Sequence, residues 1–166
     1  YERLVQQFRN EKIENYTEII IGMPGETVES YKNGLEQMMK LFPRPVVFIY
    51  NCGVFVNAPM NESDYVKKHD IKTIRSPIYL WHSSIHKRRD HQDWDDIVVS
   101  TNTFNLDQLK EMYLYAWIMQ SFHSLGILEY VSKFYHQVYN LKYIDFYQSF
   151  IEFVKSSDSL FGAEYK

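Results

Sequence analysis

The stretch TEIIIGMPGET, residues 17–27, decides how this chain is expected to fold. Its three consecutive isoleucines are typical of a strand that is covered on both faces, as in a parallel sheet. Gly22 and Gly25 give the backbone conformational freedom, and Pro24 ends the strand because its ring fixes φ and removes a backbone donor. Thr27 is a candidate N-cap. The stretch therefore predicts a buried strand, a tight loop and the start of a helix.

An amphipathic helix and a second strand are predicted after this loop. Apolar residues recur at steps of three and four on one helix face: Val28, Tyr31, Leu35, Met38 and Phe42. Pro43 and Pro45 end that helix, and residues 46–50 form a second buried, apolar strand. Strand, helix and strand predict a βαβ unit with a right-handed crossover. Ligands bind at the carboxyl ends of strands in such sheets, so we expect a ligand-binding edge at residues 22–26 and 51–60.

Shorter elements are predicted on either side of the βαβ unit. Residues 1–13 are expected to form a helix, and Asn61 is expected to cap another over residues 62–68. Pro77 interrupts residues 71–80, which favours an edge strand or a bent strand. The polar, charged segment 81–94 is predicted to be a surface excursion, and the segment 96–100 a short strand.

From residue 105 onward the sequence predicts helices. Asn105 is expected to cap the first, with Gln108 three residues later as a variant of the capping box. This helix, residues 106–124, is apolar on almost all sides and is expected to be buried or in an interface. Two further helices are predicted at 127–139 and 143–156, with these residues on their inner faces: Val131, Phe134, Val138, and then Ile144, Tyr147, Ile151, Val154. The change of composition near Asn105 predicts an α/β part, residues 1–104, and a helical part, residues 105–166.

Composition narrows the classes of function. The 166 residues have a net charge of -3 and a pI near 6.1, which gives no electrostatic reason to bind nucleic acid or an anionic membrane. Cys52 is the only cysteine, so the sequence has no disulfide framework, and a reducing, cytoplasmic setting is expected. There is no apolar run long enough to span a membrane. Because the chain starts at Tyr1, inside what looks like the end of a helix, we expect it to be a piece of a longer protein.

The loop at residues 22–26 is the strongest candidate for a binding site. It lacks the lysine and the length of a P-loop and is not a dinucleotide-binding fingerprint. Glu26 suits the positive end of the helix dipole but would repel a phosphate that competes for the same end. A ligand with hydroxyl groups, an amine or a cationic centre fits this carboxylate better. The alternative is a turn that binds nothing.

Histidine and cysteine side chains give weaker signals. A cluster of histidines in the charged segment could approach one metal ion, but adjacent cationic side chains oppose this: His82, His86 and His91 beside Lys87, Arg88 and Arg89. We therefore predict no metal site. His123 is expected to be a hydrogen-bonded core histidine, and Cys52 a buried, inert thiol. No residue of this chain is predicted to be catalytic.

Several of these motifs together resemble radical S-adenosylmethionine (radical SAM) enzymes. Residues 17–27, continuing through Glu29-Ser30-Tyr31, resemble the fifth-strand segment of that family, and the cobalamin-binding subgroup, with its pattern E-x-I-x-G-x-P-G-E-T, is the most similar. Two further parts of the family resemble segments of this chain. The family's segment after the sixth strand is similar to Asn57-Ala58-Pro59-Met60 with Tyr65 and Ile71. Its C-terminal region is similar to Ser100-Thr101 and residues 117–126. The resemblance covers residues 1–130.

The resemblance implies both a fold and a chemistry. The fold would be α/β, the last units of a partial (β/α)6 TIM-like barrel followed by a helical C-terminal region. The chemistry would be the reductive cleavage of S-adenosylmethionine at a 4Fe–4S cluster, which starts radical chemistry on a small-molecule or peptide substrate. A C-x3-C-x2-C motif holds that cluster in the family, and cobalamin is a further cofactor of the subgroup.

The resemblance also implies cofactor-binding residues, because the fifth-strand segment of the family packs near the adenosyl part of S-adenosylmethionine. Carried over to this chain, those positions are Glu18, Ile20, Gly22, Pro24 and Glu26. Asn51 and Asn57, at the end of the neighbouring strand, are weaker candidates. Glu26 near a cationic sulfonium agrees with the electrostatic argument made for the loop.

The chain departs from the family in two ways. Val56 stands where relatives often have proline, and a single cysteine cannot supply three cluster ligands, which must therefore lie upstream of Tyr1. Taken alone, the chain is expected to be inactive and to self-associate through its exposed sheet edge. Two alternatives stay open. One is a non-enzymatic interaction module that uses the aromatic helices at 106–156, and the other is an ordinary nucleotide-binding α/β domain.

Overall fold

The computed structural model describes residues 2–41, 46–78 and 93–157. Its helices and strands follow one another in the order α1 Glu2–Asn10, β1 Thr17–Ile21, α2 Val28–Leu41, β2 Val47–Asn51, β3 Gly53–Val54, α3 Ser63–His69, β4 Lys72–Pro77, β5 Trp94–Ser100, α4 Leu106–Ile118, α5 Glu129–Tyr139 and α6 Tyr143–Ser156. A short 3-10 helix, Pro59–Asn61, precedes α3, and a π-helical segment, Met119–Ser124, continues α4. The α/β class predicted from the sequence is confirmed. Among the described residues no helix is long and apolar enough to cross a membrane.

These elements form two compact units. The first unit contains residues 1–19, 29–48 and 112–166, and the second contains residues 20–28 and 49–111. The chain passes between the units within β1, α2, β2 and α4. The predicted surface excursion lies mostly outside the described residues, together with His82, His86 and His91.

β1 and β2 pair as the βαβ pattern predicts. Near their starts, the Thr17 backbone N–H donates to the Val46 carbonyl oxygen at 3.0 Å. At their far ends, the N–H of Cys52, the residue after β2, donates to the Ile21 carbonyl oxygen at 3.0 Å. The start of β1 pairs with the start of β2, and the end of β1 pairs with the end of β2, so the two strands run parallel. Helix α2 connects them.

The expectation that both strands are covered on both faces is wrong for the described residues. Side chains alternate between the faces of a strand. In β1, Ile21 is 1 % exposed whereas Ile20 is 49 % exposed, and in β2 Val47 is buried whereas Phe48 and Tyr50 are exposed. The described part of this sheet has two strands, and one of its faces is left largely open.

The second unit contains a three-stranded antiparallel sheet in the order β3-β5-β4. Gly53 pairs with Ile97 on one side of β5, and Ile74 pairs with Ile97 on the other. β4 is an edge strand and ends at Pro77, as predicted. Between β2 and β3, the Cys52 carbonyl oxygen accepts a hydrogen bond from the Val98 N–H at 2.9 Å. The segment 47–54 therefore changes its partner from β1 to β5 at Cys52.

The predicted capping box at the start of α4 is confirmed in both directions. The Gln108 N–H donates to Asn105 Oδ1 at 3.0 Å, and the Asn105 N–H donates to Gln108 Oε1 at 2.9 Å. The predicted cap at Asn61 is wrong. Glu62 is the N-cap residue of α3, with no side-chain cap, and Asn61 Nδ2 instead donates to the Val56 carbonyl oxygen at 3.3 Å. Asn61 is the last residue of the 3-10 helix that precedes α3, and its side chain does not cap α3.

His123 is the centre of a polar network in the core of the first unit. It is fully buried, and its Nδ1 lies 2.9 Å from the Tyr147 hydroxyl. That hydroxyl donates to Ser132 Oγ at 3.5 Å, and Ser132 Oγ donates to the Glu129 carbonyl oxygen at 2.9 Å. The expected hydrogen-bonded core histidine is thus confirmed. His123 lies in the π-helical segment, an irregularity that the apolar pattern of residues 106–124 did not predict.

The two C-terminal helices differ in how well their inner faces were predicted. In α6 the positions Tyr147, Ile151 and Val154 are buried as expected, and Ile144 is half-buried. Glu36 Oε2 accepts the backbone N–H of Ile144 at 3.0 Å, so a carboxylate of α2 binds the first turn of α6. In α5 the prediction is wrong, because the residues expected to face inward are exposed: Val131, Phe134 and Val138. The buried residues of α5 are polar instead.

The environment of His123 makes the stability of the chain pH-dependent. Burial lowers the pKa of His123 to about 4 from an ordinary value of 6.5; the carboxylates of Glu129 and Glu36 oppose this lowering, and Lys133 reinforces it. Above pH 6.5 the histidine is neutral in both the folded and unfolded chain. As the pH falls from 6.5 to 4, the unfolded chain takes up the proton first, so the free energy of unfolding should fall by about 3 kcal/mol.

Urea unfolding at pH 7 and pH 4 checks this pH dependence. Because carboxylates also titrate in this range, the difference between parent and variant isolates the histidine. Between pH 7 and pH 4, the free energy of unfolding of His123→Gln should fall by about 3 kcal/mol less than that of the parent. His69→Gln, a control in α3, should behave as the parent does. If the free energy of unfolding falls equally in the parent and in His123→Gln, His123 is not the source of the pH dependence.

Candidate functional site

The loop after β1 is a type II turn. The Glu26 N–H donates to the Met23 carbonyl oxygen at 3.1 Å, which closes a four-residue turn with Pro24 and Gly25 at its centre. Gly25 has a φ of +90°, a conformation that L side chains rarely adopt. The ring of a proline fixes the φ that the preceding position of such a turn requires. The sequence Met-Pro-Gly-Glu thus dictates the turn locally, and the turn places Glu26 two residues before α2.

Gly22 joins the buried strand to this turn. It is buried and has a φ of +87°. A Cβ atom there would lie 3.4 Å from Leu109 Cδ1 and 3.7 Å from Phe104 Cζ, so the backbone packs directly on the start of α4. Any larger residue would be strained by the backbone conformation itself. Gly22 therefore fixes the direction in which the loop leaves the sheet.

Glu26 is the chemically distinctive residue of the loop. Burial raises the pKa of its carboxyl group, and a hydrogen bond with the Gly22 backbone partly offsets this. Its Oε2 atom is buried and, within the described residues, has no hydrogen-bond partner. A buried carboxylate oxygen without a partner carries a desolvation cost of about 1–3 kcal/mol. A donor from a ligand, such as a hydroxyl or ammonium group, would remove that cost.

Cys52 lies beside the same loop and is surrounded by sulfur. Its Sγ atom is 3.6 Å from Met23 Sδ and 3.9 Å from Met60 Sδ, and the residue is 2 % exposed. Burial raises the pKa of the Cys52 thiol, and the negative charge of Glu26 raises it further. The thiol therefore stays protonated and unreactive, in agreement with the buried, inert cysteine expected from the sequence.

The structure brings some of the predicted cofactor-binding residues together and separates others. Gly22, Pro24 and Glu26 belong to the loop after β1, whereas Glu18 and Ile20 lie on β1 itself and have exposed side chains. Asn51, the last residue of β2, and Asn57 are both exposed. The three turn residues remain the strongest candidates.

Met23 and Met60 lie in the two segments predicted to form the ligand-binding edge, but their packing against Cys52 was not predicted from the sequence. Both methionine sulfur atoms lie within 3.9 Å of Cys52 Sγ, and neither methionine has a recognisable sequence spacing from the cysteine. The type II turn, in contrast, could have been assigned from Pro24-Gly25, which is the preferred pair at its centre. Among the described residues no group of three or more histidine, cysteine, aspartate or glutamate side chains could hold a metal ion.

A parallel strand pair that ends in a turn with Pro24 and Gly25 at its centre places the half-buried Glu26 at the carboxyl end of β1, and the α/β class of the chain is clear. No protein-family model matches the chain. Two curated proteins do. The chain is 26 % identical, over 99 % of its length, to "Cobalamin-dependent radical SAM methyltransferase TokK" of Streptomyces tokunonensis. It is 24 % identical, also over 99 % of its length, to "2-(S-pantetheinyl)-carbapenam-3-carboxylate methyltransferase" of Streptantibioticus cattleyicolor.

These similarities confirm the resemblance to the C-terminal part of a radical SAM enzyme of the cobalamin-binding subgroup. The similar relatives are methyltransferases, so they are enzymes. The chain spans 24 % of the length of each of these curated relatives. The similarity extends beyond residue 130, where the motifs in the sequence gave no family, and therefore includes α5 and α6.

Proposed function

We propose that this chain is the C-terminal portion of a cobalamin-dependent radical SAM methyltransferase. The observation that carries the proposal is the similarity of the chain, over 99 % of its length, to two methyltransferases. The reaction would begin with reductive cleavage of S-adenosylmethionine, and a methyl group would be transferred to a small-molecule or peptide substrate. The substrate named for one relative belongs to that relative, and 24 % identity does not carry it over.

The turn at residues 22–26 fits S-adenosylmethionine. The buried Oε2 atom of Glu26 has no partner among the described residues, and this cosubstrate offers hydroxyl and ammonium donors as well as a cationic sulfonium. Gly25 has open space where a Cβ atom would stand, which allows a ligand to approach the backbone there. When bound, S-adenosylmethionine would supply the radical chemistry. Glu26 would bind and orient it, and Pro24 would hold the turn in place.

The described residues do not supply the ligands of a 4Fe–4S cluster. Cys52 is the only cysteine, and it is buried beside two methionines, so it does not fit a 4Fe–4S cluster that needs three thiolates. We therefore place the cluster, and cobalamin, in another part of the full-length protein. The role of this chain is confined to binding S-adenosylmethionine and supporting the catalytic domain.

The proposal also covers the architecture of the whole enzyme. β1 and β2 would be the last strands of a partial (β/α)6 barrel, and their parallel pairing supports this. Residues 1–104 would then form the end of the barrel with its irregular extension, and residues 105–166 its helical C-terminal region.

Taken alone, the chain should be inactive and should self-associate. A second copy would cover the exposed side chains of Ile20, Phe48 and Tyr50 and the edges of the two-stranded sheet in the described part of the chain. Light scattering of the isolated 166-residue chain should therefore give at least the mass of a dimer. A monomer at the highest soluble concentration would count against this proposal.

A protein-interaction module remains the second candidate function. One observation favours it: the aromatic side chains that α5 exposes, such as Tyr130 and Phe134. In that case the turn at residues 22–26 would be structural, and its carboxylate would bind no cosubstrate.

Binding of S-adenosylmethionine to the full-length protein separates the two functions. Glu26→Gln removes the charge that would face the sulfonium and the ammonium group, so the dissociation constant should rise by about tenfold or more, as expected for a lost charge-assisted hydrogen bond. Glu29→Gln is the matched control, because Glu29 is an exposed carboxylate in the first turn of α2. Isothermal titration calorimetry measures the dissociation constants of both variants and of the parent protein.

Two outcomes would contradict these proposals. If the parent protein shows no affinity for S-adenosylmethionine, the enzyme proposal is wrong and the interaction module is favoured. If Glu26→Gln and Glu29→Gln weaken binding equally, Glu26 has no special role and the cosubstrate binds elsewhere.

A further inference from the structure

Met23 is the most exposed of the six methionines in the chain. Its side chain is 37 % exposed, whereas Met60 is half-buried. The other four belong to the core and are 7 % exposed or less: Met38, Met39, Met112 and Met119. A path from solution to the turn must exist if the proposed cosubstrate is to bind there, and a peroxide is much smaller than that cosubstrate. A peroxide should therefore reach the thioether of Met23 before any other methionine of this chain.

Met23 also belongs to the turn that carries Glu26. Its carbonyl oxygen accepts the Glu26 N–H at 3.1 Å and thereby closes the type II turn. Its Sδ atom lies 3.6 Å from Sγ of Cys52, so the side chain connects an exposed position of the second unit with a buried thiol. Whatever displaces this sulfur atom therefore acts on the residue that closes the turn.

The thioether of Met23, not the thiol of Cys52, is the reactive sulfur at this place. Cys52 is 2 % exposed, and burial raises the pKa of its thiol, with the negative charge of Glu26 raising it further. The thiolate that would react with a peroxide is therefore scarce. A thioether has no proton to lose, so its reaction with a peroxide does not depend on such an ionisation.

We propose that Met23 is a redox-sensitive switch, whose oxidation to the sulfoxide by a peroxide distorts the turn and weakens the binding of S-adenosylmethionine. The sulfur atom gives an electron pair to one oxygen of hydrogen peroxide, and the O–O bond breaks. That oxygen stays on sulfur, and the other takes both hydrogens and leaves as water, so sulfur is oxidised by two electrons and the peroxide is reduced by two. Two thiols reverse the change, forming a disulfide and water. The inference rests on the proposed function, because the ligand that it affects is the proposed cosubstrate.

A sulfoxide does not fit the place that the thioether occupies. The added oxygen atom is a hydrogen-bond acceptor, but the thiol of Cys52 is only a weak donor and the carboxylate of Glu26 is no donor at all. A polar group that is buried without a good partner is costly, so the oxidised side chain should leave its contact with Cys52. The turn that it closes then shifts together with Glu26. We expect the dissociation constant for S-adenosylmethionine to rise by about tenfold, which corresponds to the lower end of that cost.

Oxidation of the full-length protein before its iron–sulfur cluster is assembled tests the proposal, because peroxide would otherwise damage the cluster as well. Cluster-free protein is treated with hydrogen peroxide, and catalase then removes the oxidant. Dithiothreitol reduces oxidised cysteines but leaves methionine sulfoxide in place. After the cluster has been reconstituted, peptide mass spectrometry should find one added oxygen atom on Met23, and isothermal titration calorimetry should give the tenfold weaker binding. Treatment with methionine sulfoxide reductases for both sulfoxide epimers should restore the parent affinity.

Two variants identify the sulfur atom that is responsible. Met23→Leu replaces the thioether with a hydrocarbon side chain of similar size, so its dissociation constant should be the same before and after peroxide treatment. Met60→Leu is the matched control, because it removes the other methionine sulfur beside Cys52. Peroxide should weaken the binding of S-adenosylmethionine to Met60→Leu as much as to the parent.

Three results would overturn the inference. If Met23 remains unmodified in the folded protein, the oxidant does not reach it. If Met23 is oxidised and the affinity stays the same, the turn tolerates the sulfoxide. If peroxide weakens binding to Met23→Leu as much as to the parent, the damage lies at another residue. Failure of the proposed function looks different, since the untreated parent would then already lack affinity for S-adenosylmethionine, and the switch would be wrong with it.

Discussion

The second unit depends on the two backbone hydrogen bonds of Cys52. Its N–H donates to the Ile21 carbonyl oxygen, and its carbonyl oxygen accepts from the Val98 N–H. Ile21, Cys52 and Val98 are each 2 % exposed or less, so leaving any of these backbone groups unpaired would carry the full cost of desolvation. This one residue therefore connects the parallel strand pair to the antiparallel sheet. It also fixes where β1 ends and where the turn begins.

The position of Glu26 follows from that constraint. Once Ile21 is held, Gly22 can leave the sheet only in the left-handed conformation that its packing on Leu109 allows. Pro24 and Gly25 then close the type II turn, and the carboxylate of Glu26 is placed where burial raises its pKa. Within the described part of the chain the Glu26 Oε2 atom is buried without a hydrogen-bond partner, which is costly in the absence of a ligand. Such a cost is typical of a binding site and supports the cosubstrate proposal.

The sequence predicted the features that depend on neighbouring residues. The parallel βαβ unit followed from two apolar runs around a helical stripe, and the capping box followed from Asn105 and Gln108. The inner face of α5 was predicted wrongly because periodicity identifies the apolar side of a helix but not what covers it. Polar contacts of Ser132 with residues 9 and 15 positions away decided the rotation, and such distant pairings have no local signal. Likewise, the sulfur atoms around Cys52 are brought together only by the fold.

Hydrogen–deuterium exchange of the full-length protein, with and without S-adenosylmethionine, tests the central claim most directly. The claim is that the turn after β1 binds the cosubstrate through Glu26. The backbone amides of residues 22–28 should exchange more slowly when S-adenosylmethionine is added to the parent, and this effect should be lost in Glu26→Gln. If the cosubstrate binds and slows exchange elsewhere while residues 22–28 remain unchanged, the turn is not the binding site and the account is wrong.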